Sequence, residues 1–158
     1  MKPENKKIFS VLGAIIFLII LAGIQISFIN PSFIKLNLFL ALVLYLVIIK
    51  DNARAIVFAW FGGILTGVNS FSNLGINSLA LLIIAAVFII LGKTTFLNLT
   101  TKSVILVGMS GVFFYHALIW ILTGGGNLSY FFNNGILAEL ILTALTLKIL
   151  LKFKTKNV

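Results

Sequence analysis

From residue 8 to residue 29 the chain carries no charged side chain, and Lys6 and Lys7 stand directly before that run. A spanning helix needs about 20 mainly apolar residues, so the segment is long enough to cross a bilayer. A cleavable leader would have an apolar stretch of about 7–15 residues and a small-x-small site after it. Here no such site precedes Asn30-Pro31, which reads as a helix stop and turn. The run is expected to stay in place as the first transmembrane helix.

Composition extends that expectation to the whole chain. Of 158 residues, 61% are apolar and 9% are charged, against about 25% charged in an ordinary soluble domain. A globule of about 150 residues buries only about 70% of the surface its unfolded chain exposes. So much apolar surface calls for lipid as the solvent. There is no cysteine, which excludes a disulfide scaffold, thiol chemistry and Cys-ligated metal.

Five more apolar runs follow, and the sequence predicts helices over about 8–29, 33–49, 55–68, 78–91, 103–122 and 135–151. The fold class expected is all-α: one polytopic membrane domain over 1–158 with six spans. The second and third runs are short and are separated by Lys50-Asp51-Asn52-Ala53-Arg54. A re-entrant hairpin would put Lys50, Asp51 and Arg54 near the midplane, at about 2.5–3.5 kcal/mol each. Two spans with local bilayer thinning cost less. Residues 69–77 read as a polar, uncharged turn, 94–102 as an interfacial loop, and Gly124-Gly125-Gly126 as a flexible break.

The net charge of +9 takes its meaning from position. With both termini in the cytoplasm, every Lys and Arg except Lys35 falls on the inner side, as retention of positive charge in cytoplasmic loops requires. Lys50, Arg54, Lys93, Lys148 and Lys152 then form a basic rim that meets anionic headgroups. The charge is thus membrane orientation, and no nucleic acid partner is expected.

No catalytic set assembles from one histidine, no cysteine and a single acid inside a span, so enzyme activity, a metal and a cofactor are not expected. Three features stand out. On the third run Ala55, Ala59, Gly63 and Gly67 recur every fourth residue, with Gly62 beside them. Such a ridge lets helices approach closely; it serves packing inside the bundle, or docking of a separate protein or a second copy. Glu139 lies about 6 Å in from Gly135, and His116 about 9 Å in from Leu122. At similar depth toward the outer face they form a hydrogen-bonded pair or line a polar depression, or else each is satisfied separately, with Glu139 reaching water. Tyr115, Trp120, Tyr130, Phe131, Phe132 and Trp60 read as interfacial anchors, with ligand stacking the other role open to them.

The central stretch carries a resemblance. A short helix, a basic turn, the Gly-rich Phe61-Gly62-Gly63-Ile64-Leu65-Thr66-Gly67, a polar turn, and Leu74-Gly75-Ile76-Asn77-Ser78-Leu79-Ala80-Leu81 opening a helix that ends at Lys93 are similar to the bacterial rod-shape-determining protein MreD family. The likeness covers about Leu36 to Lys93. Family members carry an acid in the turn after the Gly-rich helix, whereas Asn69-Ser70-Phe71-Ser72-Asn73 has none. The resemblance implies a non-enzymatic inner-membrane scaffold of the cell-elongation machinery. Such a scaffold binds the bitopic partner MreC and links the filament MreB to the peptidoglycan synthases. A different class, the substrate-binding subunit of an energy-coupling-factor vitamin transporter, shares the compact six-helix layout. His116, Asn127, Asn133, Asn134 and Glu139 would suit its outer ligand site.

Overall fold

The structure is a computed structural model that describes residues 37–69, 74–94, 101–125 and 134–155, with the helical positions Ile16, Ile19, Ile20, Leu21, Gly23 and Ile24 of the first apolar run. All regular structure among the described residues is helical. Five helices have described ends: α1 (Leu38–Ile48), α2 (Asn52–Asn69), α3 (Leu74–Thr94), α4 (Thr101–Leu122) and α5 (Asn134–Thr155).

Local chemistry moves several boundaries from where hydropathy puts them. Helix α1 starts at Leu38 because Asn37, in extended conformation, caps it and its Oδ1 accepts the Leu40 N–H at 3.1 Å. It ends in a Schellman cap: Asp51 N–H donates to Leu46 O at 2.9 Å, Lys50 N–H donates to Val47 O at 3.0 Å, and Lys50 sits at φ 64. Asp51 then caps α2 through the Arg54 N–H at 3.4 Å. The expected five-residue turn therefore shrinks, and Asn52, Ala53 and Arg54 form the first turn of α2. Helix α3 begins at Leu74, so the polar turn expected over 69–77 loses its last four residues to that helix. Helix α4 takes in Thr101 and Lys102, which the interfacial loop was expected to hold, and α5 runs on to Thr155. Residues 30–36 and 95–100 lie outside the described residues.

Helix α1 is the shortest and packs against all four others. That central place explains a sequence apolar on every side, since Phe39, Leu40, Ala41, Val43, Leu44, Leu46 and Val47 are all buried. Around it, α2 and α3 pair most extensively, as do α4 and α5. The four outer helices are apolar on their outward side as well. Their outward faces hold large apolar side chains, Trp60 (50% exposed), Phe113 (59%) and Ile141 (61%) among them. Over Gly75–Gly92 and Lys102–Leu122, α3 and α4 are long and apolar enough to cross a membrane, while α1 and Asn52–Val68 of α2 are apolar but shorter.

Candidate functional site: buried polar pairs at one end of the bundle

Contacts between helices fix which ends meet. Gly62 near the end of α2 lies on Phe39 at the start of α1, and Gly63 lies on Ser78 at the start of α3. Tyr115 near the end of α4 reaches Asn77 of α3, and His116 reaches Glu139 at the start of α5. One end of the bundle therefore gathers the starts of α1, α3 and α5 with the ends of α2 and α4. The other end gathers the α1–α2 turn, the start of α4 and the end of α5.

The first end holds the buried polar side chains. His116 Nε2 and Glu139 Oε2 are 2.7 Å apart, and the two residues are only 6% and 2% exposed. The contact works with the ring N–H donating to carboxylate or with the carboxyl O–H donating to the ring nitrogen. Either way each group satisfies the other in a place where an isolated charge would be costly. Glu139 does not reach bulk solvent. Of the two arrangements open from sequence, the structure brings the residues together and buries them.

Beside them, Tyr115 donates its hydroxyl to Asn77 Oδ1 at 2.9 Å, and its ring meets the His116 ring edge-on at 5.5 Å. Both Tyr115 and Asn77 are buried. The interfacial role read for Tyr115 is thus corrected, because hydrophobic spacing does not tell which way around a helix a residue points. Asn77 was missed by the sequence reading. Its one signal is an amide standing next to an apolar run that can supply no partner from its own helix. Trp120 is half-buried and Trp60 meets Phe61 edge-on, outward. Tyr130, Phe131, Phe132, Asn127 and Asn133 lie outside the described residues, as does the side chain of Asn134.

The small-residue ridge is occupied within the chain. Ala55, Ala59, Gly63 and Gly67 are all buried. A β-carbon at Gly63 would land on the Ser78 backbone, 2.5 Å from its nitrogen, and Ser78 Oγ donates to Trp60 O at 2.9 Å across the same seam. Beside the ridge, a β-carbon at Gly62 would meet Phe39 Cδ1 at 2.7 Å. Of the two roles open to the ridge, the structure assigns it to internal packing, so it offers no free face to a separate protein or a second copy. After α4, Gly124 (φ 91) and Gly125 (φ 64) close a second Schellman cap, with Gly125 N–H donating to Trp120 O at 2.9 Å. The glycines there serve a helix stop.

At the other end, Lys50, Arg54, Lys102, Lys148 and Lys152 are exposed. Lys93 lies in the last turn of α3, its side chain outside the described residues. Arg54 Nη1 meets Asp51 Oδ2 at 3.3 Å. Among the described residues no group of three or more His, Cys, Asp or Glu could hold a metal ion.

Set against protein-family models, curated proteins and solved structures, the chain has no significant match in any of the three comparisons.

Proposed function

We propose that the chain is a polytopic protein of the bacterial inner membrane with six spans and both termini cytoplasmic, acting as a non-enzymatic scaffold of the cell-elongation machinery. The observation that carries the membrane half is the outward exposure of large apolar side chains on every outer helix, such as Trp60, Phe113 and Ile141. Such a surface suits lipid or another membrane helix. On the inside Asn77 partners Tyr115 and His116 partners Glu139, and the exposed basic rim at one end suits anionic headgroups.

The scaffold half rests on the resemblance. Phe61–Gly67 and Leu74–Leu81, which carry it, are also the residues of the closest helix contact, so they mark a way of folding α2 onto α3. With the ridge spent there, a bitopic MreC-like partner would meet the outward faces. The test has two parts. A reporter fused to the C-terminus should be active only in the cytoplasm; activity only outside overturns the topology. Pull-down in mild detergent should recover the bitopic partner together with other elongation proteins, and failure to do so removes the scaffold role.

A second reading has one observation in its favour, the buried polar pairs Asn77–Tyr115 and His116–Glu139 gathered at one end. A substrate-binding subunit of an energy-coupling-factor transporter would bind its vitamin at that end of the bundle, outside the buried pairs themselves. Co-purification with a coupling subunit and an ATPase, in place of the bitopic protein, decides for it.

A further inference from the structure

Four hydroxyl side chains in or just after these helices share a habit: Thr66, Ser110, Thr123 and Thr146 each donate to the carbonyl four residues earlier, at 2.7, 2.7, 2.8 and 2.8 Å. Thr143 departs from it. Its residue is 0% exposed and its Oγ1 has no hydrogen-bond partner among the described residues. A buried hydroxyl left this way bears its full desolvation penalty.

Thr143 stands one helical turn after Glu139, and residues four apart share a helix face. That face is the inward one, since Glu139 meets His116 and Ala144 and Leu147 lie against Gly108 of α4. We propose that one internal water molecule sits between the Thr143 hydroxyl and the His116–Glu139 pair, accepting from Thr143 Oγ1 and donating to the Glu139 carboxyl group. Size and chemistry both select water. Thr143, Glu139 and His116 are closed off from bulk solvent, at 0%, 2% and 6% exposure, which favours the smallest ligand. Water both donates and accepts, and a buried one characteristically makes two to four hydrogen bonds to otherwise unsatisfied groups. The water extends the pair one turn along α5 and locks the rotation of that helix against its neighbours. This site stands apart from the choice between scaffold and transporter, since it concerns how α5 is held in either.

The experiment is thermal unfolding of the full chain in mild detergent for Thr143→Ser and Thr143→Ala. Both variants lose the methyl group, and only serine keeps the hydroxyl. With the water in place Thr143→Ser melts higher than Thr143→Ala by about 2–4 °C, and the gap closes in a His116→Leu/Glu139→Leu background, because neighbours sharing a partner are not additive. Where that background fails to fold, the order of the two single variants decides alone. Equal midpoints, a higher midpoint for alanine, or a gap unchanged without Glu139 overturns the proposal.

Discussion

At the end of the bundle that holds the α1–α2 turn, Lys50, Arg54, Lys102, Lys148 and Lys152 stand exposed, and the Asp51–Arg54 contact leaves the arginine side chain 68% exposed. At the opposite end Asn77, Tyr115, His116 and Glu139 are buried, and each meets another of the four. The difference lies in who solvates the polar group. At the charged end water does, so the groups can stand on separate helices. At the other end a side chain from the next helix does, so polarity becomes a means of fixing one helix against another. The same contrast appears in the two Schellman caps: Gly124 adopts positive φ without a β-carbon, while Lys50 adopts it with a full side chain.

The largest expected effect comes from breaking a buried pair. Glu139→Leu takes the carboxyl group from the buried His116 Nε2, and removing one partner of a buried pair costs about 3–5 kcal/mol. His116→Leu added to it should restore most of that loss, since replacing both partners by apolar groups is often nearly neutral. The check is chemical or thermal unfolding in detergent for the two single variants and the double. A double variant less stable than either single would show that the pair matters for more than mutual solvation.

Next in size is the seam between α2 and α3. Gly63→Ala drives a β-carbon onto the Ser78 backbone, which cannot move aside as a side-chain tip can, and overpacking of this kind costs about 1–3 kcal/mol. Gly75 at the start of α3 has nothing within 4 Å of its β-position, and Gly75→Ala should gain about 0.5–1 kcal/mol from the entropy of glycine in a helix. Melting midpoints moving in opposite directions confirm the assignment of the ridge to internal packing; a neutral Gly63→Ala would return the ridge to the surface.

How much of this was legible follows from what sequence patterns encode. Charges and glycines mark helix ends, so Lys50–Arg54 and Gly124–Gly126 separate the runs that the structure forms into α1, α2, α4 and α5. Depth is also legible, because rise per residue is constant; Glu139 and His116 could be put at similar depth before any coordinates. Direction around the helix is not. In a chain apolar on every side no hydrophobic stripe tells inside from outside, so the sequence leaves open whether the ridge faces inward and gives no warning that Tyr115 does. Asn77 escaped for a related reason: a polar residue at a helix start looks like a turn until a partner on another helix is known.

The two caps predict smaller, opposite shifts. A residue with a β-carbon in the left-handed region costs about 1–2 kcal/mol, so Gly124→Ala should lower the melting midpoint by about 2–8 °C. Lys50→Gly should raise it by a smaller amount, because the lysine charge near the C-terminus of α1 recovers about 0.3–1 kcal/mol through the helix dipole. Raising the salt concentration screens that charge and should widen the advantage of glycine.

The smallest effect separates the two roles of Asp51, which caps α2 through the Arg54 N–H and also meets the Arg54 side chain. An exposed pair contributes about 0.2–1 kcal/mol at most and is screened by salt, whereas loss of an N-cap costs about 0.5–2 kcal/mol. Arg54→Ala therefore removes little, and Asp51→Ala removes more. Asp51→Ser, which keeps a capping oxygen without the charge, should fall close to Arg54→Ala. If Arg54→Ala proves as damaging as Asp51→Ala and the loss disappears at high salt, the ion pair is the working contact. The charged end would then also depend on side-chain pairing, but within the start of α2 and not between helices.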